Sequence, residues 1–235
     1  MLTSRRLRCA IVQPSYIPWR GYFDLIRRTD VFVFYDDVQY DRRGWRNRNR
    51  IKTPAGTQWL TIPVHARGAQ TEHIPINEIR FAETDWPREP LETLRRSYSR
   101  APHFNDYSDC FELVYASPPP LLADFTIALT IDIASFLDIE TRFIRASSLN
   151  ASGRSTERLI DVLRKIGATQ YLSGPSAKSY IDEQQFGDAG IALEWMEYAY
   201  PEYEQFHPPY DPYVTILDLL FMTGPAATRL LQSPS

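Results

Sequence analysis

The sequence predicts an α/β fold, Rossmann-like, in which a mostly parallel sheet is flanked by helices and the middle of the chain carries a helical insertion. Three observations predict it. Short apolar runs alternate with helical patterns in the first 35 residues, the alternation returns after residue 140, and the stretch 84–140 between them is helical in character. With 235 residues, 43% hydrophobic and 23% charged, the chain is expected to form one α/β domain over residues 1–235, the stretch 84–140 being an insertion or lobe within it.

Residues 8–13 form a short apolar run with β-branched members, a buried strand, followed by the Pro-rich turn Pro14-Ser-Tyr-Ile-Pro18. Residues 21–28 place apolar side chains at helical spacing, and residues 31–35 are a second strand. Periodicity is weak across residues 36–52, and residues 59–64 read as an edge strand because Pro63 cannot donate to a ladder. Helices are expected over residues 86–99, 104–116 and 121–137, the last nearly free of charge but interrupted by Asp124 and Asp132, so no membrane span is expected. Strands near 141–145, 170–173 and 191–196 then alternate with helices over 156–166 and around 180–185. A last helix over 214–223 ends at Gly224.

Of the 26 cationic side chains, 23 are Arg and three are Lys (Lys52, Lys165 and Lys178). Arginine codons of a GC-rich genome account for such a bias, and so does an anionic ligand, which the planar guanidinium fork holds bidentately. Position favours a local meaning: residues 1–50 hold eleven Arg against five Asp, whereas residues 179–228 hold nine acidic residues and no Arg or Lys. With a pI near 5.8 and no Lys-rich run, nucleic acid is not an expected partner. Cys9 and Cys110 form no metal-ligand spacing and the four His do not pair, so no protein-bound metal is expected and no cofactor is named. The apolar run before Gln13 is too short for a signal peptide, so a cytoplasmic location is expected.

Ligands of open parallel sheets bind beyond the carboxyl ends of the strands. Three motifs are expected there. The first is the turn after strand one, with Gln13, Tyr16 and Tyr22 as binding candidates. The second is the acidic end of strand two, where Asp36, Asp37 and Tyr40 are catalytic candidates and one of the two carboxylates is expected to be a cap or ion-pair partner. It runs on into Gln39, Trp45, Asn47, Arg48, Arg50 and Lys52 as binding candidates. If extended, Arg46, Arg48 and Arg50 share one face and Asn47 and Asn49 the other, the pattern of a carboxylate or phosphate clamp. The third is the loop holding Ser173, Gly174, Ser176 and Tyr180, whose hydroxyls and amides suit an oxyanion. Tyr203 and Gln205 add binding candidates, and His207 a catalytic one.

The segments AIVQPSYIPWRGYFDLI, FVFYDDVQYDRRGWRNRNRIK, WLTIPV, YLSGPSAKSYID and PEYEQ followed by TILDLLFMTG together resemble the WbqC-like family of bacterial proteins. The resemblance runs from residue 10 to residue 224 and implies an enzyme of surface-polysaccharide or specialised-metabolite assembly. A more distant likeness links residues 18–26 to nucleotidylyl transferases and pantothenate synthetase-like enzymes, with Trp19 and Tyr22 where their HxGH signature has histidines. The leading expectation is a transferase moving an acyl or aminoacyl group from an activated carboxyl donor, a CoA or carrier-protein thioester, to an amine or amino sugar. In that reading Asp36 or Asp37 accepts a proton or orients the amine, Arg48 and Arg50 hold the anion, and Ser173 or Ser176 faces the oxyanion. The alternatives are a degenerate nucleotidylyl transferase or adenylate-forming enzyme with ATP and Mg²⁺ on the Asp pair, and a non-catalytic binding or scaffold protein of a biosynthetic complex.

Overall fold

The computed structural model describes residues 6–69 and 71–232. Five strands, β1 (Arg8–Val12), β2 (Val31–Phe34), β5 (Arg142–Arg145), β6 (Gln170–Ser173) and β7 (Ala192–Trp195), form one sheet in the order β5-β2-β1-β6-β7. Every pairing in it is parallel: Cys9 lies opposite Val31 and Tyr171, Val31 opposite Arg142, and Gln170 opposite Ala192. Helices cover both faces, as the α/β Rossmann-like class requires. Ala10, Phe32, Phe34 and Leu172 pack with α1 (Arg20–Arg27), α4 (Leu122–Phe136) and α7 (Ile216–Thr223). Cys9, Ile11, Val31 and Val33 pack with α5 (Ser155–Ile166) and α6 (Glu183–Asp188). A strand has period two, so adjacent residues of the short apolar runs serve opposite cores.

Between β2 and β5 the chain builds the antiparallel hairpin β3 (Arg48–Thr53) and β4 (Gly56–Thr61), then α2 (Arg88–Tyr98), α3 (Phe104–Ala116) and α4. The expected edge strand over 59–64 is displaced toward the N-terminus, stopping before Pro63. The helix expected around 180–185 starts later, at Glu183, because the Asp182 carboxylate accepts the amides of Gln184 and Gln185 and fixes the cap there. Tyr180 instead follows a 3-10 turn, Pro175–Ser179. After α7 comes α8 (Ala227–Leu230), entered through Gly224 at φ 54°. No helix among the described residues is long and apolar enough to cross a membrane.

Burial of β1 has a direct chemical test. Cys9 is fully buried and burial pushes its thiol well above the ordinary range, while Cys110 on α3 is partly exposed and raised less. Iodoacetamide is expected to label Cys110 in the native protein roughly tenfold or more faster than Cys9, the difference vanishing in urea. Equal native rates would contradict the central place of β1.

Candidate functional site

Strand order reverses between β1 and β6: from β1 the chain steps through β2 to β5 on one side, then returns to β6 and β7 on the other. A cavity of about 640 Å³ opens there, at the carboxyl ends of these two strands. Ile11, Val12, Tyr171 and Ser173 from the strands meet Pro18, Trp19, Tyr22 and Leu25 from the first turn and α1. The hairpin and the segment before it contribute Trp45, Arg46, Asn49, Arg50 and Trp59. Opposite stand Gly174, Ser176, Ala177 and Tyr180, and the helix-free segment before α7 closes over with Tyr198 and Tyr213.

The hairpin is tied to the first turn by an amide. Asn49 Nδ2 donates to the carbonyls of Tyr16 (3.1 Å) and Ile17 (2.8 Å), and the Tyr16 amide donates to the Trp45 carbonyl (3.1 Å). Ile17 sits at φ 35°, a conformation a β-branched residue adopts only under strain, so these bonds hold the turn in place beside the cavity.

The arginines separate. Arg46 and Arg50 line the cavity, whereas Arg48 folds back, its Nη2 donating to the Arg43 carbonyl at 2.7 Å and its guanidinium lying 4.5 Å over the Trp59 ring. The expected three-arginine face is thus divided, because the Arg48 guanidinium turns back to the Arg43 and Gly44 carbonyls and the Trp59 ring while those of Arg46 and Arg50 line the cavity. Arg46 Nη1 donates to the Pro14 carbonyl (3.2 Å), Arg46 makes no ion pair among the described residues, and burial pulls its pKa down. Arg50 lies 3.4 Å from Asp211, at the limit of hydrogen-bond range. The Nε atoms of both are buried without a partner.

Of the remaining candidates, Tyr22, Trp45, Ser173, Gly174, Ser176 and Tyr180 stand around this same cavity. Others lie elsewhere. Asp36 is fully buried beyond the end of β2, accepting the amide (3.0 Å) and hydroxyl (2.8 Å) of Ser147. Asp37 pairs with Arg158 at 2.6 Å, yet burial outweighs that partner and raises its pKa. Neither carboxylate lines the cavity. Tyr16 meets the Tyr115 hydroxyl in the core, Tyr40 donates to Asn47 Oδ1 (2.9 Å), and Asn47 donates to the Ile62 carbonyl (2.8 Å). Gln39 is exposed and bridges to Pro75, while the Gln13 carbonyl accepts from the Tyr22 hydroxyl at 3.2 Å.

Lys52, Tyr203 and Gln205 join a buried network instead. The Lys52 ammonium donates to the Pro209 carbonyl, its amide to the Tyr98 hydroxyl, and Tyr98 and Tyr203 both donate to Asp218. Gln205 closes the loop by exchanging hydrogen bonds with the Asp211 backbone. His207 meets the Ser97 carbonyl (2.9 Å), away from the cavity.

Arg46, which the sequence placed in the clamp, lines the cavity, as do Trp59, Tyr198 and Tyr213, which were not singled out as site residues from the sequence. For the two tyrosines a signal existed: residues 196–215 are an aromatic, helix-free stretch too long to be a plain connection. It is fastened through Arg20, which donates to the Pro201 carbonyl (2.8 Å) and Tyr210 hydroxyl (2.6 Å) and lies over the Tyr200 ring. No cluster of three or more His, Cys, Asp or Glu among the described residues is arranged to hold a metal ion.

Comparison with known proteins gives two matches. The family model described as WbqC-like protein family matches residues 13–230. An uncharacterised Mycobacterium tuberculosis protein, Rv1507c, is 42% identical over 227 residues, covering 96% of this chain and 97% of its own. No solved structure matches.

Proposed function

Taking as premise that the chain belongs to the WbqC-like protein family, we propose that it is a small-molecule transferase. It moves an acyl or aminoacyl group from a CoA or carrier-protein thioester to an amine or amino sugar, in surface-polysaccharide or specialised-metabolite biosynthesis. One observation carries the reading: two arginines and the Ser173-Gly174-Ser176 turn face the same aromatic-walled cavity at the switch point of the sheet.

Arg46 and Arg50 hold the anionic part of a substrate, and the rings of Trp19, Tyr22 and Tyr198 exclude water from it. The free amine attacks the thioester carbonyl, and the Ser173 and Ser176 hydroxyls donate to the oxygen that gains charge. The C–N bond forms, the C–S bond breaks, and the amine proton passes to the departing thiolate. With Asp36 and Asp37 committed to Ser147 and Arg158, this scheme needs no carboxylate base, and the same commitment leaves a nucleotidylyl transfer through Mg²⁺ on that pair without support.

The test is thiol release from a panel of acyl-CoA and loaded carrier-protein donors with amines and amino sugars as acceptors. Acceptor-dependent release, with a product heavier by the acyl group, is the expected result. Arg50→Ala is expected to lower kcat/KM by roughly ten- to a hundredfold and Arg48→Ala by no more than about threefold, since of these two Arg50 lines the cavity and Arg48 does not. Release that ignores the acceptor, or carrier binding without turnover, would overturn the assignment.

A further inference from the structure

We propose that the cavity binds a nucleoside diphosphate group, its diphosphate held by Arg46 and Arg50 without a bridging metal ion and its base stacked on the aromatic wall. Two observations point to a ligand with both parts.

The first is electrostatic. A guanidinium withdrawn from water is costly unless an anion or several acceptors surround it. Arg46 has one carbonyl, no ion-pair partner and an unpartnered buried Nε, and Arg50 has an unpartnered Nε and two stretched contacts at 3.4 Å, to Asp211 and to the Tyr213 carbonyl. No carboxylate lines the cavity among the described residues, so Arg46 has no ion-pair partner there, Arg50 has only the 3.4 Å contact to Asp211 outside the lining, and the walls offer a divalent ion no carboxylate ligand. Three residues separate the two arginines, up to ~13 Å at Cα if extended. They therefore approach from different points, which favours a two-group anion over a single carboxylate.

The second is the distribution of rings. Six large apolar side chains are strongly exposed among the described residues, and four of them surround this mouth: Trp45 (40%), Trp59 (48%), Tyr180 (62%) and Tyr213 (58%). Trp45 and Trp59 lie 5.1 Å apart, and deeper in, Trp19 stands 5.0 Å from Tyr198. Flat faces beside cations, in about 640 Å³, accept a planar heterocycle joined to phosphate. That chemistry has two possible sources: the adenosine diphosphate end of a CoA donor, or a nucleotide-linked amino-sugar acceptor.

This inference rests on the cavity being the substrate site of the transferase, and the experiment is chosen to separate the two. Three of the five tryptophans, Trp19, Trp45 and Trp59, line the cavity, so fluorescence excited at the red edge of tryptophan absorption reads occupancy without turnover. UDP, ADP, CoA, uridine, adenosine and pyrophosphate are titrated in EDTA. At least one diphosphate-bearing nucleotide is expected to quench saturably, about tenfold or more tighter than its nucleoside and than pyrophosphate. Preference for CoA and ADP assigns the donor, and preference for UDP assigns a nucleotide-linked acceptor. Arg46→Gln is expected to weaken that binding about tenfold by calorimetry while leaving the apo Tm unchanged or raised, because it removes a half-buried cation that has no ion-pair partner. Trp45→Leu, at an exposed position, is expected to weaken nucleotide but not pyrophosphate. Absence of saturable binding by every nucleotide, equal binding of nucleoside and diphosphate, or a strict need for Mg²⁺ would overturn the proposal. A transferase with another acceptor and donor fails here yet releases thiol; a nucleotide-binding protein without transfer does the reverse.

Discussion

Asp218→Ala is expected to cost about 3–5 kcal/mol of stability, read as a lowered midpoint of urea denaturation. The carboxylate is fully buried in the first turn of α7, accepting from Tyr203 (2.8 Å) and Tyr98 (2.9 Å), and Lys52, only 1% exposed, lies within its field. Burial raises its pKa, against the lowering effect of the two tyrosines, Lys52 and His207. Because the folded pKa is raised, this group's own titration favours the folded state below the ordinary carboxylate range and takes stability away as pH climbs through the raised value. Deletion at neutral pH nevertheless loses more than it relieves, since it leaves the Tyr98 and Tyr203 hydroxyls without their acceptor and the buried Lys52 ammonium without the opposite charge nearby. Lys52→Met in the same background is expected to restore about 1–3 kcal/mol relative to additivity. A variant within about 1 kcal/mol of wild type would show that the network is not what fastens residues 203–211.

Gly21→Ala is expected to impair both the fold and the site. A methyl group at this position would lie 2.3 Å from the Trp19 ring, inside any van der Waals contact. Trp19 cannot yield freely, because it is wedged against Tyr198 at 5.0 Å, Tyr213 at 5.8 Å and Tyr200 at 6.2 Å. Alanine in a helix normally gains about 1 kcal/mol over glycine, but overpacking costs about 1–3 kcal/mol, so a net loss of stability follows. The displaced ring is a cavity wall, and ligand affinity or kcat/KM should fall about tenfold or more. An unchanged Tm together with unchanged KM would mean that Trp19 does not pack as described.

The sheet was legible because parallel strands buried on both faces are continuous apolar runs, as in Cys9-Ala-Ile-Val12 and Val31-Phe-Val-Phe34. The hairpin was not, because its buried positions Asn49 and Lys52, like Asn47 just before it, are polar, buried to hydrogen-bond with distant partners rather than to exclude water. Nor could the acidic end of β2 reveal its partners: Ser147 and Arg158 lie 111 and 121 residues further along, and only the crossover to β5 and α5 brings them there. The alternation of Arg and Asn was readable, but which guanidinium lines the cavity depends on tertiary partners, since Arg48 is drawn back to the Arg43 carbonyl and the Trp59 ring.

The amide of Asn49 that holds the turn at Ile17 also sets a timetable. During synthesis β1 leaves the ribosome first, but its following turn has no brace until the hairpin emerges some thirty residues later. The cavity then still lacks the Ser173 turn, Tyr198 and Tyr213, and the Asp218 that fastens the closing segment comes last of all. A chain released after residue 195 holds all five strands of the sheet and yet lacks Tyr198 and Tyr213, leaving a trough with exposed rings where the finished protein has a chamber. Completion of the site, more than of the sheet, marks the end of folding, and the unfinished aromatic trough is the surface most in need of protection until then.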